Sequence, residues 1–581
     1  MAKKMKTPWA FLDEYRGSMF KGEWPTLSEM FEISVKRYPQ NACFTIYENG
    51  RKSLNYTEAL AVIKGVAGHL ANMGCVPGTA IAVTGKNSPE WAVAYMAALF
   101  AGCVVVPIDH QLRKEETELL IRTADAKVLF CDEEKFDLMD ERALGLKAKF
   151  SLSTEKTNYI YDLKADYAKA QAQAQGVKDG DLAAILFTSG TTGVPKGVML
   201  THANLVADCY LAQANLTIYS TDVFYALLPI HHAYTMLAVF IEAMSVGAEI
   251  VFAKRMAIGQ ILRDFKEAQV TMFLGVPLLF NKLLSGIMGK IKAKGPIVYG
   301  IIRFLMAISG LIKKATGINP GKHLFKSILD QASLSSLRIC ISGGGPLAPA
   351  VFADWNKLGI DFVQGYGLTE TSPIVALNPK EHYKPTSVGK KLPNMEMKLI
   401  DIDGDGNGEI VMKGPMIMQG YYKNEQATKD TFTEDGWFKS GDVGSLDSEG
   451  YLYLTGRAKN MIVTEGGKNV YPEEVENAFQ LYYEVDQVMV RGFLLDKATK
   501  SEGIEALIFP SKDFFEDLEK KEAKKYGEAE IHEHFARVVA EVNLKLLPYQ
   551  RIGRFTILKQ ALDMTSTKKV KRFTVGENLG E

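Results

Sequence analysis

An α/β protein is expected: a large N-terminal domain of two doubly wound α/β subdomains plus a small β-subdomain, followed by a small mobile α+β C-terminal domain. Three features of the chain lead there. Strand-like and helix-like segments alternate through the first half, which favours parallel sheets covered by helices. A loop of glycines and hydroxyls at 188–197 interrupts that alternation. Short β-rich pieces separated by turns replace it near residue 400.

The first stretch of alternation begins with helical spacing over 58–73, which ends at Gly74. A buried strand follows at 80–83, then a helix over 89–100 that stops at Gly102, then a strand at 104–108. The rhythm returns after the loop, with a helix from Ala203 to about Ala214, a strand at 223–228, a helix around 234–245 and a strand at 249–252. The run Asp401-Ile402-Asp403-Gly404-Asp405-Gly406-Asn407-Gly408-Glu409 superficially resembles a calcium loop, but it lacks the closing glutamate and the flanking helices. It reads as a turn between two strands of a β-subdomain spanning about 386–455. Further on, 514–525 reads as a solvated, highly charged helix.

Composition sets limits on function. The 581 residues suggest about three or four units of ordinary domain size. A hydrophobic share of 47% and a charged share of 23% describe a folded protein. Its 68 basic and 68 acidic residues cancel, so no global field attracts nucleic acid, and none is expected as a partner. Six scattered cysteines without a C-x-x-C pair read as buried thiols in a reducing, cytoplasmic setting. The basic N-terminus is interrupted by Asp13, Glu14 and Arg16, so no secretory signal is expected. No stretch reads as the run of about 18 uncharged apolar residues that a spanning helix needs.

Chemistry concentrates in the run Thr188-Ser189-Gly190-Thr191-Thr192-Gly193-Val194-Pro195-Lys196-Gly197, which follows the apolar strand-like 183–187. Its glycines let backbone N–H groups approach an anion, its hydroxyls add donors, and Lys196 adds a positive charge. A Walker A loop would open a helix at its lysine, whereas Pro195 and Gly197 flank this one and disfavour that. The run therefore reads as a phosphate cradle of another kind.

Three further clusters accompany it. Gln364-Gly365-Tyr366-Gly367-Leu368-Thr369-Glu370 follows the strand-like 361–363 and offers close backbone approach, a stacking aromatic, and a hydroxyl beside a carboxylate suited to Mg²⁺. Lys439-Ser440-Gly441-Asp442 places an acid after a tight turn, where it suits a pair of ribose hydroxyls. Gly456-Arg457-Ala458-Lys459 lies where the composition changes again.

Together and in this order, the clusters resemble the adenylate-forming (AMP-binding) superfamily of acyl-CoA synthetases, nonribosomal adenylation domains and beetle luciferases, most of all its long-chain fatty-acid–CoA ligases. The resemblance runs from about residue 25 to about residue 575 and includes Tyr471-Pro472-Glu473-Glu474-Val475-Glu476. It implies that Thr188, Ser189, Gly190, Thr191, Thr192, Gly193 and Lys196 hold the β- and γ-phosphates of ATP, Thr369 the α-phosphate and Glu370 the magnesium ion. It also implies that Tyr366 stacks on adenine, with Gly365 and Gly367 beside it and Gly343, Gly344 and Gly345 lining the same pocket, and that Asp442 and Arg457 bind the ribose. The implied reaction joins a carboxylate to AMP, releasing pyrophosphate, and then passes the acyl group to the thiol of CoA.

The family's catalytic lysine matches Lys569, in a run where Asp563 and Lys568 replace the usual proline and glycine. Long-chain acyl-CoA synthetases often lack that glycine. Such a lysine would neutralise both the carboxylate and the α-phosphate and support charge in the transition state. The resemblance further implies domains of 1–458 and 459–581 with a hinge at Lys459, rotation of the second domain between half-reactions, and a CoA-facing loop containing Gly466 and Gly467. His232 matches the position bordering the acid's carboxylate.

Between 275–280 and 341–346 the chain is longer than in ligases of small acids. The apolar 297–312 segment there, with Arg303 inside and lysines around it, has the composition of a helix in a membrane interface, or of one packed on the protein itself or on a second subunit in a homodimer. Peripheral membrane contact through about 290–320 would suit a medium- or long-chain fatty acid. Three readings stay open: a fatty-acid–CoA ligase, an enzyme that adenylates another acid or serves a carrier-protein thiol, and a nucleotide-binding protein without turnover.

Overall fold

The computed structural model describes residues 7–188, 195–465, 467–496, 501–565, 570 and 572. Two large sheets dominate it. The first has seven strands in the order Gly420–Tyr421, Lys196–Thr201, Leu182–Thr188, Val104–Ile108, Ala80–Thr84, Val128–Cys131 and Ala148–Ser151. Its last five strands are parallel, and the order reverses about Ala80–Thr84 as double winding requires. The second sheet has thirteen strands, and its parallel centre runs Asp361–Tyr366, Ile339–Ser342, Met272–Gly275, Val223–Ala226, Glu249–Phe252, Ala42–Tyr47.

Alternate residues of these strands enter different cores, the period of two that strand geometry imposes. Phe224, Ala226, Ile250 and Phe252 of the second sheet share one buried cluster with Ile81, Val83, Val128 and Phe130 of the first. Their neighbours Tyr225, Val251 and Phe273 pack on the opposite face, as do Ala82, Leu129 and Cys131 on the far face of the first sheet. Each sheet is thus covered on both sides.

The layer between the sheets includes the helices Leu27–Arg37, Tyr56–Asn72 and Pro89–Phe100, which is why the last of these is buried at every position but Glu90. Ser88 caps it by accepting from the Trp91 N–H at 3.1 Å. The helix expected from residue 58 begins at Tyr56, because Asn55 and Glu58 form a reciprocal capping box. The helix expected around 234–245 is present but contains a π-helical stretch, Met236–Ile241. All six cysteines are buried free thiols.

The β-rich segment does not stand apart. Its strands continue the second sheet through Ala376–Leu377 and Gly389–Lys391 to Tyr451–Arg457, Phe438–Leu446, Gly408–Lys413 and Glu396–Ile400. The Asp401–Glu409 run is the turn expected there. Asp403 Oδ1 accepts the backbone N–H groups of Asp405 (2.9 Å) and Asn407 (3.0 Å), an Asx turn that fastens the loop to itself.

Beyond it lies a small α+β unit, with three strands in the order Val485–Asp496, Ser501–Pro510, Arg554–Ile557. Its core joins Ile504, Ala506 and Ile508 to Phe535 and Val542 of the helix Glu528–Lys545. The charged helix expected over 514–525 is Lys512–Glu522, capped by Ser511, whose Oγ accepts from the Phe514 N–H at 3.3 Å.

Candidate active site

The phosphate-cradle run sits at a hairpin. Leu182–Thr188 and Lys196–Thr201 pair antiparallel with Thr188 opposite Lys196, so Lys196 opens a strand and not a helix. Ser189, Gly190, Thr191, Thr192 and Gly193 lie outside the described residues, as do Gly466 and Lys569.

Lys196 has a neighbour that sequence reasoning missed. Its Nζ lies 4.9 Å from the centroid of the Tyr421 ring, and the Tyr421 hydroxyl donates to Glu370 Oε1 at 2.9 Å. The strand Gly420–Tyr421 pairs with Lys196–Thr201, which fixes the ring at this place. Burial, followed by the Glu370 carboxylate, pushes the Tyr421 phenol up, so it stays a donor. A glutamate, a lysine and a tyrosine are thereby joined across three distant segments. Nothing in the Gly420-Tyr421-Tyr422 string marks Tyr421; only strand pairing reveals it.

A second chain of contacts begins four residues before Glu370. The Tyr366 hydroxyl donates to Asp442 Oδ2 at 2.7 Å, and Asp442 Oδ1 pairs with Arg457 Nε at 2.7 Å. Asp442 and Arg457 are direct cross-strand partners in their hairpin, so sheet register sets their pairing. Burial first and the Asp442 carboxylate second hold the Tyr366 phenol well above its ordinary value. Ser440 braces the turn, donating to the Ile410 carbonyl at 2.7 Å while accepting the Asp442 N–H at 3.1 Å.

The glycines have steric reasons. A Cβ on Gly367 would fall 1.5 Å from the Pro373 carbonyl oxygen, and one on Gly343 would meet the Tyr234 ring at 2.8 Å. Gly344 has φ of +78°, while Gly345 and Gly365 complete the two backbone runs at the ends of Ile339–Ser342 and Asp361–Tyr366. Thr369 and Glu370 lie in the short turn Thr369–Thr371, where the Glu370 carbonyl accepts the Met418 N–H at 2.9 Å.

His232 precedes the short helix Ala233–Thr235, with its ring centroid 4.3 Å from that of His231. Asp109 joins them, and ligand-capable atoms of Asp109, His231 and His232 all lie within 4.8 Å of one another. Asp109 directly follows the strand Val104–Ile108 and was not anticipated, because an isolated Asp-His pair carries no motif. Lys459 occupies the turn Ala458–Asn460, and burial and then the Arg457 charge lower its pKa, with Asp442, Glu473 and Lys196 also in electrostatic range. Lys459, where the hinge is expected, therefore borders both contact chains. Gly467 has φ of +69° in the turn between Ile462–Val463 and Asn469–Val470.

The small C-terminal unit touches the site's rim. Gln480 Nε2 donates to the Pro346 carbonyl, next to the 343–345 glycines, at 2.9 Å. Next to Lys569, Val570 bridges to Met564, and Arg572 pairs with Glu476 at 2.6 Å.

The arrangement fits a nucleotide with magnesium. A carboxylate oriented by a tyrosine beside a lysine is a donor set for Mg²⁺ and phosphate, and Gly344 and Gly345, where an added Cβ would meet nothing nearer than 3.7 Å, leave backbone open to a flat ring. Comparison with known proteins gives the same picture. The AMP-binding enzyme family model matches residues 31–422. Long-chain-fatty-acid–CoA ligase FadD15 of Mycobacterium bovis is 28% identical over 555 residues, covering 90% of each chain. Long-chain-fatty-acid–[acyl-carrier-protein] ligase AEE15, chloroplastic, of Arabidopsis thaliana is 26% identical over 628 residues, covering 95% of this chain and 85% of that protein. The solved structure of the anthranilate CoA ligase AuaEII with anthranoyl-AMP superposes with a TM-score of 0.74 at 20% identity, covering 96% of this chain and 97% of the other.

Proposed function

We propose that this chain, which belongs to the AMP-binding enzyme family and is an acid–thiol ligase working with ATP, Mg²⁺ and CoA, activates a medium- or long-chain fatty acid. The observation that carries the reaction is the meeting of Lys196–Tyr421–Glu370 with Tyr366–Asp442–Arg457 in one place. The acid class rests on similarity to a long-chain fatty-acid ligase along 90% of the chain.

In this reading the fatty carboxylate attacks the α-phosphorus of ATP, giving acyl-AMP and pyrophosphate. The CoA sulfur then attacks the acyl carbon and AMP leaves. Lys196 and the 188–193 run hold the β- and γ-phosphates, and Thr369 contacts the α-phosphate. Glu370, oriented by Tyr421, holds the magnesium ion, which when bound offsets phosphate charge. Asp442 and Arg457 take the ribose, and Tyr366 and the glycines at 343–345, 365 and 367 take adenine. His232 borders the carboxylate, and Lys569 bridges carboxylate and phosphate. Turning at Lys459 exchanges Lys569 for the 466–467 glycines.

Pyrophosphate release with octanoate, palmitate, benzoate and ferulate tests the substrate class. Fatty acids should support the fastest release, followed by consumption of free CoA. Release driven by the aromatic acids alone would overturn the substrate reading. The similarity to an acyl-carrier-protein ligase along 95% of the chain favours one alternative. Release with palmitate, without CoA consumption but with loading of a phosphopantetheinylated carrier protein, would establish it.

A further inference from the structure

The helix Pro296–Thr316 is inverted relative to an ordinary surface helix. Ile297, Ile301, Phe304, Ile308 and Leu311 recur at helical spacing along one stripe, and they are 77%, 54%, 66%, 36% and 68% exposed. Its inward face is mixed: Met306 is buried in the neighbouring core, with Ile302 and Leu305 packed against it, beside two polar anchors. Arg303 pairs with Asp354 at 2.5 Å, and Lys313 is buried between Asp361 (2.7 Å) and Asn356 (2.6 Å). Lys313 thus anchors the helix and does not flank it in solvent, contrary to the reading of lysines at both ends. The helix does pack on the protein itself, through Met306, Ile302 and Leu305, and the 297–311 stripe is what that packing leaves exposed.

The helix has 21 residues, more than the 16 expected over 297–312, and is long and apolar enough by composition to cross a membrane. Its two ion pairs to the protein body hold it flat against that body instead. Ile318 (67% exposed) and Leu324 (48% exposed) prolong the apolar surface past its C-terminal end.

Charge around the stripe is strongly one-sided, although the chain's net charge is zero. From residue 268 to residue 329 there is no Asp or Glu, against eight lysines and Arg303. Lys290, Lys292, Lys294 and Lys314 among them are exposed.

We propose that Pro296–Thr316 docks the protein on an anionic lipid bilayer, with the 297–311 stripe lying in the headgroup and acyl boundary and the surrounding lysines on the headgroup charges. A bare apolar stripe costs free energy in water, and the exposed lysines at its two ends match a negative surface. A second copy fits less well, because a two-fold contact through this stripe would set two lysine-rich surfaces against each other. The proposal is independent of which acid the enzyme activates.

Co-sedimentation with vesicles tests it, using phosphatidylcholine alone and phosphatidylcholine mixed with phosphatidylglycerol. The protein should bind the anionic vesicles, and bind them less as salt rises. The variant I301S/F304S/L311S should lose about tenfold or more in partition, and K290E/K292E/K294E should lose the preference for anionic lipid. Both should keep the wild-type melting temperature and octanoate-dependent pyrophosphate release, since these side chains face outward. Absence of wild-type binding, or unchanged binding by the serine variant, would overturn the proposal. A dimer in sedimentation velocity that the serine variant abolishes, without vesicle binding, would assign the stripe to a second copy. Loss of octanoate activity throughout would count against the proposed function and leave the vesicle result standing.

Discussion

Tyr421 shows how a side chain without a motif becomes part of a site. Its hydroxyl orients Glu370 while its ring lies beneath Lys196, so one residue sets the distance between a carboxylate and a cation. Tyr421→Phe keeps the ring and removes the bond to a charged acceptor, a loss of about 1.5–3 kcal/mol. We expect adenylation at limiting Mg²⁺ to fall by about tenfold or more with the melting temperature unchanged. An unaltered magnesium titration would remove Tyr421 from the site. A second residue, His202, works on stability. It is fully buried, its Nδ1 accepts the Leu27 N–H at 3.2 Å, and burial lowers its pKa to about 4 despite Asp181 and Asp179 nearby. Between about pH 4 and 6.5 the unfolded chain binds a proton there that the folded chain refuses. This contribution is complete above about pH 6.5 and lost as pH falls, by about 3 kcal/mol at pH 4. Melting curves of His202→Gln should therefore decline less steeply over that window than those of the wild type; parallel curves would refute the assignment.

At the scale of elements, the hairpin of Phe438–Leu446 and Tyr451–Arg457 runs directly into the turn Ala458–Asn460. If Lys459 is the pivot, Lys459→Pro should slow thioester formation from supplied acyl-AMP far more than pyrophosphate release, because proline restricts rotation at that residue. Lys569→Ala should show the reverse pattern, losing about a hundredfold in pyrophosphate release. Equal losses in both half-reactions for either variant would contradict the division of roles. The elements around this hairpin were only partly legible. Ala80–Thr84 and Val104–Ile108 announce themselves because a strand covered on both faces is a continuous apolar run. The π-helical Met236–Ile241 does not, since its residues are apolar all round and any helical winding would bury them.

For the molecule as a whole, the order of β and α segments implied two doubly wound sheets, and they are there. The continuity of the β-rich segment with the second sheet was not implied, because it depends on Gly389–Lys391 pairing with both Ala376–Leu377 and Tyr451–Arg457. Pairings between remote segments leave no local periodicity to read. The site divides along the same line. Glycines at 343 and 367 and the Asp442 turn are visible in the sequence because each lies in a short recognisable run, whereas Tyr421 and Asp109 reach the site only through sheet assembly. Charge follows this pattern too, with a neutral total concealing one strongly basic region.

The direct join between the Tyr451–Arg457 strand and the Ala458–Asn460 turn has a kinetic consequence for the proposed alternation. A three-residue tether running from an interior strand of the second sheet would confine the C-terminal unit to a small volume, so the effective concentration of its 569 run at the nucleotide would stay high. Inserting flexible residues after Lys459 would dilute that run without altering a single contact in the site. Turnover would then depend on tether length as well as on chemistry.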